Sequence, residues 1–136
     1  MKFPHIILCA MILINFGCDL VDEAIIDVSG KVTDEGQAVA GAIVLLIESA
    51  DVSEGLGLAN GIITGSNGRY VILNVDAGDY YVLAVEDQNG NFEFDADADR
   101  LGFYGVNQST LDITPDKITV SDQDIEDIDI VDLYSL

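Results

Sequence analysis

The chain has 136 residues, 49% of them hydrophobic, which is room and apolar content for one ordinary domain and argues against wholesale disorder. Its 25 Asp and Glu against 5 Lys and Arg, a formal net charge of −20, exclude a nucleic-acid partner, because such binding relies on cationic side chains neutralising phosphates. A single histidine, His5, leaves no Ser-His-Asp triad to assemble in the body of the chain, and two cysteines with no metal-site spacing argue against zinc and haem.

The first segment, MKFPHIILCAMILINFGC, carries Lys2 near its start and an apolar run from Ile6 to Phe16. That run is shorter than the roughly 20 residues a spanning helix needs, and it reads as a secretion signal. It ends at Gly17-Cys18 and turns polar at once with DLVDEA, a junction that resembles the lipobox of bacterial lipoproteins, which are cut before a diacylated cysteine. Gly17 supplies the small residue of that pattern, while Asn15 and Phe16 depart from the family's preference for Leu and a second small residue. The resemblance implies a signal peptide over 1–17, lipid on Cys18 and a membrane anchor at the bacterial cell envelope, at the outer membrane or cell surface rather than the inner membrane. An ordinary signal peptide cut elsewhere, or an uncleaved anchor, is the alternative.

On that reading Cys9 leaves with the signal and Cys18 is acylated, so disulfides are not what holds the fold. Loss of Lys2 also makes the charge of −20 one unit more negative. Residues 18–24 form an acidic tether. Its CDLVDE resembles the acidic export signal of surface lipoproteins of the Bacteroidetes type, although Asp19 beside the cysteine also fits inner-membrane retention in enteric bacteria, and a plain solvated linker stays open.

From there to the end, apolar and β-branched runs of strand length recur between turn signals, and no segment keeps helical spacing for three turns. The runs are Ile25 to Thr33, Ala42 to Glu48, Leu58 to Thr64, Tyr70 to Val75, Tyr80 to Val85, a short piece at Phe103 to Val106 or Lys117 to Val120, and Ile125 to Leu133. DEGQ, GSNGR, DAGD and DQNGN punctuate them with residues suited to turns. Seven short strands so spaced predict an all-β sandwich over 25–136. In the last run Ile128 and Ile130 are expected to point inward and Asp127 and Asp129 outward, the period-two pattern of a half-buried strand.

Three pieces in order, VSGKVTDEGQAVAGAIVLLIES, TGSNGRYVILNVDAGDYYVLAVED and a late strand, resemble the carboxypeptidase regulatory-like, or transthyretin-like (prealbumin), domain. The signals are Gly30, Val32, Asp34, Gly36, Val39, Gly41, Ala42 and Val44, then Asn67-Gly68 with Tyr70, then Ala77-Gly78 with Tyr80. The resemblance implies a seven-stranded Greek-key, prealbumin-like sandwich. It further implies a non-catalytic adhesive, stabilising or substrate-presenting module. These positions themselves read as turn glycines and core residues, and none carries chemistry.

The segment VEDQNGNFEFDADADR is the candidate site. It gathers Glu86, Asp87, Asn89, Asn91, Glu93, Asp95, Asp97 and Asp99 beside Arg100 alone. It resembles the ligand order of an EF-hand loop, with Asp87, Asn89 and Asn91 at the first, third and fifth places, the Glu93 carbonyl at the seventh and Asp95 at the ninth. Phe92 stands where that loop has Gly and Ala98 where it has Glu, which leaves Asp97 or Asp99 to give the last carboxylate. Hard Ca²⁺ takes six to eight oxygens and tolerates irregular geometry, so it is the expected ion ahead of Mg²⁺. An extended stretch would put Asp95, Asp97 and Asp99 on one face. The competing expectation is a solvated hairpin turn with Phe92 and Phe94 tucked beneath it.

Other sets are weaker. SADVSEGLGLANG lacks the Lys and Ser/Thr of a phosphate-binding loop, and sugar stacking has only Tyr81, Phe103, Tyr104 or Tyr134 to use. The sequence thus predicts a non-enzymatic, lipid-anchored, Ca²⁺-stabilised binding or scaffolding module. The alternative is an accessory subunit of a surface hydrolase or uptake system that binds carbohydrate or peptide, with an envelope protein or polysaccharide as partner.

Overall fold

The computed structural model describes residues 24–136; the expected signal peptide, Cys18 and nearly all of the expected tether lie outside them. Among the described residues no helix is long and apolar enough to cross a membrane. The fold is all-β. Nine strands follow in order: β1 (Val28–Lys31), β2 (Thr33–Asp34), β3 (Gln37–Ala38), β4 (Ile43–Ile47), β5 (Ile62–Ile63), β6 (Arg69–Ile72), β7 (Gly78–Glu86), β8 (Arg100–Phe103) and β9 (Lys117–Val120). A single 3-10 turn, Gln108–Thr110, is the only helical element among them.

The main sheet runs β5-β4-β7-β8, with β9 also on β7. β7 is long enough to hold two partners in series on one side, β9 opposite Gly78 to Tyr81 and β8 opposite Leu83 to Glu86. Its other side pairs with β4 from Tyr81 to Val85. The strands IVLLI and YYVLAV show no polar alternation because both faces of this sheet are covered. Val44, Val82 and Ala84 face a first core shared with Val28, Val32, Tyr70, Ile118, Val120, Ile128 and Ile130. Ile43, Leu45, Leu83 and Val85 face a second core closed by Val52, Leu58, Phe94, Leu101, Phe103 and Val106. Burial of such side chains contributes roughly 1.5 to 3 kcal/mol each.

Over the first core lies the smaller sheet, β1 antiparallel to β6. The pair Gly30 and Tyr70 explains how it closes. A side chain on Gly30 would place its first carbon 1.9 Å from the Ile128 carbonyl oxygen, and the bare glycine instead lets the Tyr70 hydroxyl reach that oxygen at 2.6 Å. Burial raises the Tyr70 phenol well above its ordinary value, helped by the nearby Asp129 and Tyr104, so it stays a neutral donor. Between β2 and β3, Glu35 and Gly36 both take positive φ, 49° and 78°, the two-residue hairpin turn whose twist suits its strands.

Ile125 to Leu133, expected as one strand, is not continuous. It runs parallel to β1 with isolated bridges Val28 to Ile125 and Val32 to Ile130. Asp127, at φ 60°, breaks it between them. Side-chain oxygens fill part of the ladder there, Asp124 accepting from the Asp27 N–H and Asp129 from the Lys31 N–H, each at 2.9 Å. The inward and outward pattern holds all the same: Ile128 and Ile130 are buried, Asp127 and Asp129 exposed. Beyond it Tyr134 bridges Leu101 in β8, so the last residues join the smaller sheet to the main one. Leu58 to Thr64 likewise shrinks to Ile62–Ile63, and both short pieces offered as alternatives, at Phe103 and at Lys117, contain strand.

Candidate functional site

The acidic segment is the connection between β7 and β8, which are in register at Glu86 and Arg100. Two backbone hydrogen bonds fix it. The Leu58 N–H donates to the Phe92 carbonyl and the Phe94 N–H to the Leu56 carbonyl, each at 2.8 Å, an antiparallel clasp centred on the bridge between Gly57 and Glu93. Phe94 is thereby buried in the second core, whereas Phe92 is 51% exposed, so only one of the two aromatics is tucked under the loop. Phe92 adopts φ 59°, the left-handed conformation that the sixth-place glycine of an EF-hand loop supplies without cost. For a residue with a side chain that conformation costs about 1 to 2 kcal/mol.

The expected ligands divide into three groups. In the first, at the loop tip, the Asn89 and Asn91 side-chain amides both donate Nδ2–H to Asp95 Oδ2 at 2.7 Å. Asp87 closes the tip by accepting the Gly90 N–H on Oδ1 at 2.8 Å and the Phe92 N–H on Oδ2 at 2.9 Å. The amide oxygens turn the other way, Asn89 Oδ1 to the Asn91 N–H and Asn91 Oδ1 to the Glu93 N–H. Asp99 forms the second group. It is 1% exposed and accepts the Gln88 N–H at 3.0 Å and the Asp95 N–H at 2.9 Å, so it binds backbone. The third group, Glu93 and Asp97, is exposed.

Asp95, Asp97 and Asp99 do not share a face. Their segment is a turn, in which the Asp99 N–H reaches the Asp95 carbonyl at 2.8 Å, and that curl carries Asp97 outward and Asp99 inward. Among the described residues no three His, Cys, Asp or Glu side chains converge as a metal cluster. The tip holds the Asp95 carboxylate bonded to two amides and the Asp87 carboxylate on the backbone, donor chemistry that suits a hard cation once the amides present their oxygens.

Arg100 does not neutralise the loop. Its guanidinium forms ion pairs with Asp34 and, at 3.5 Å, Glu86, and donates to the Leu133 carbonyl at 2.9 Å. Asp34 Oδ1 accepts the Leu133 N–H at 3.3 Å, so the pair binds the C-terminal segment from both sides. Burial pushes the Asp34 carboxyl up, but the Arg100 hydrogen bond, the Leu133 N–H and the Arg100 charge together outweigh it and hold the group below its ordinary value. Asp34 was legible only as a turn residue, since nothing local in VTDEG announces a partner at Arg100. The segment around Gly57, which lacks the residues of a phosphate-binding loop, likewise gives no local sign of the clasp.

The stacking residues do not form a platform. Phe103 is buried in the second core, Tyr134 packs against that core, and the half-buried Tyr81 has the Lys117 ammonium 5.1 Å from its ring centre. No family model, curated protein or solved structure matches the chain.

Proposed function

We propose that this is a non-catalytic, lipid-anchored module of the bacterial cell envelope, a prealbumin-like β-sandwich of the carboxypeptidase-regulatory kind that serves binding or scaffolding and is hardened by Ca²⁺ in its β7–β8 loop. The observation that carries the cation is the joining of Asn89 and Asn91 to Asp95, with Asp87 holding the backbone of the same tip, in a loop clasped to the second core. Two sheets facing one another across a shared core support the sandwich, and the apolar leader ending in Gly17-Cys18 supports the anchor. The absence of any His after His5 supports a role without acid-base chemistry of the triad type.

Melting the protein in excess EDTA and then with added Ca²⁺ tests the cation, since an ion that binds only the folded state raises its stability by mass action. The expected rise disappears in the Asp87→Ala, Asp95→Ala double variant; identical curves up to millimolar Ca²⁺ refute the site. Labelling of cells with a fatty-acid analogue tests the anchor, which Cys18→Ala abolishes.

A protein partner is favoured over a polysaccharide by one surface. β5 and β6 are each the last strand of their sheet, and Ile62, Ile63, Val71 and Leu73 on and beside them are exposed. Unpaired edges with apolar side chains suit strand addition by a protein segment, as an accessory subunit would use.

A further inference from the structure

The chain contains three Asn-Gly steps, Asn60-Gly61, Asn67-Gly68 and Asn89-Gly90. At such a step the glycine nitrogen, unshielded by a side chain, can attack the preceding side-chain amide carbon. What differs among the three is the acceptor of the glycine N–H. Gly61 donates to the Leu58 carbonyl at 3.0 Å and Gly68 to the Gly65 carbonyl at 2.9 Å, neutral acceptors that take no proton. Gly90 donates to the carboxylate Oδ1 of Asp87 at 2.8 Å. We infer that Asn89 is a self-modification site, at which the folded loop promotes cyclisation onto Gly90 and conversion of the amide to an acid.

The other two atoms of the reaction are also held. Asn89 Oδ1, where negative charge develops as the tetrahedral adduct forms, accepts the Asn91 N–H at 3.1 Å. A backbone donor aimed at that oxygen is the arrangement that stabilises an oxyanion. The leaving nitrogen, Nδ2, is held by Asp95 Oδ2 at 2.7 Å. In the first step the Gly90 N–Cγ bond forms and Asp87 accepts the Gly90 proton. The Cγ–Nδ2 bond then breaks and the nitrogen departs as ammonia, taking its third hydrogen from water to which Asp87 returns the proton. Water opens the resulting succinimide at either carbonyl, leaving aspartate or isoaspartate at position 89. The net change consumes one water and releases one ammonia, with no oxidation.

A carboxylate is a weak base, but this is the one carboxylate among the acceptors of the three glycine nitrogens. Both Asn89 and Gly90 are exposed, and a side chain at Gly90 would meet nothing within 4 Å, so the ring has space to form. Gly61 and Gly68 are packed closely, with backbone or side-chain atoms within 2.5 Å of the same added carbon. Conversion removes the amide donor that bridges to Asp95 and sets a second carboxylate against it, so the loop passes with age from amide-bridged to self-repelling. This inference stands on the apo loop: a cation that drew Asp87 and Asn89 Oδ1 onto itself would remove the arrangement, so the rates are read in excess EDTA.

Peptide mass mapping of the full chain over time, at neutral pH, follows all three sites together. In the folded protein Asn89 is expected to convert at least about a hundredfold faster than Asn60 or Asn67, the lower range of general-base assistance. It is also expected to convert faster than the same site in denaturant, and Asp87→Asn, which keeps an acceptor but not a base, lowers its rate to the denatured level. A folded-state rate at or below the denatured one overturns the inference without reliance on any variant. An unchanged rate in a folded Asp87→Asn protein overturns the role of the carboxylate.

Discussion

Replacing Asp99 by Asn separates a structural carboxylate from the proposed cation ligands around it. Asp99 accepts two backbone N–H groups with two oxygens while 1% exposed, and an Asn of the same shape has one oxygen to offer. The second N–H then faces an amide NH₂, losing its partner in a buried place. Hydrogen bonds to a charged group contribute about 1.5 to 3 kcal/mol each, so losing one and weakening the other removes about 3 kcal/mol. Relief of repulsion with neighbouring acids returns about 1 kcal/mol, the Coulomb energy of a pair at 4 Å in water. The net loss of about 2 kcal/mol corresponds to a fall in Tm of about 8 °C or more for a domain near this size. Thermal unfolding of Asp99→Asn beside Asp97→Asn measures it, with the exposed Asp97 variant expected to match the parent. An Asp99→Asn protein that melts with the parent refutes the assignment of Asp99 as the organiser of the loop.

Gly30→Ala, whose new carbon would lie 1.9 Å from the Ile128 carbonyl oxygen, is expected to abolish cooperative unfolding or lower the denaturation midpoint by far more than any exposed Gly→Ala change. Tyr70→Phe removes the hydroxyl at 2.6 Å from that oxygen and is expected to cost about 1 to 3 kcal/mol in a urea titration. Ile130→Asp puts a charge where the side chain is 0% exposed and is expected to lose about 3 to 5 kcal/mol or the native state altogether, read by circular dichroism. Because Asp34 is held below its ordinary value, its contribution is complete above the unfolded carboxylate value of about 3.9 and is lost as pH falls through the lower folded value. Asp34→Asn is therefore expected to be less stable than the parent at neutral pH, with the gap closing below about pH 4 in a series of melts.

Periodicity and turn chemistry made the strands legible where one chain segment decides its own fate. β4 and β7 stand out as unbroken apolar runs, and DEGQ reads as a turn from its residues alone, although β3, which starts at its Gln37, falls in none of the expected runs. The C-terminal segment was legible in burial and not in continuity, since alternation of Ile and Asp says which side chains go inside but not that Asp127 takes positive φ. The acidic loop was legible as a site and not as a geometry. Composition cannot tell an Asp that binds backbone from one that faces water, and that choice depends on the clasp with Leu56 and Leu58 far back in the sequence. The Asp34 and Arg100 pair spans most of the domain and depends on sheet register, which no local pattern encodes.

The loop's own hydrogen bonds set how tightly a cation can be held there. In the apo arrangement Asn89 and Asn91 turn Nδ2 toward Asp95 and spend their oxygens on the Asn91 and Glu93 N–H groups. A cation placed between Asp87 and Asp95 needs those oxygens, so both amides must rotate and two backbone hydrogen bonds must be given up. At about 1 kcal/mol net for each such bond, the rotation costs about 2 kcal/mol. That cost weakens binding by about thirtyfold relative to a loop already facing its ion. The clasp through Phe94 and the Asp99 anchor work in the other direction, because a loop already ordered loses little further backbone freedom when the ion arrives. On the proposed Ca²⁺ reading, affinity in this loop is therefore governed by the two amides rather than by the number of carboxylates around them. Asp at position 89 or 91 is accordingly expected to bind Ca²⁺ more tightly than Asn, measured by calorimetry, while neutralising exposed Asp97 leaves the affinity within about threefold. An affinity that tracks the count of surface acids and ignores positions 89 and 91 refutes this account.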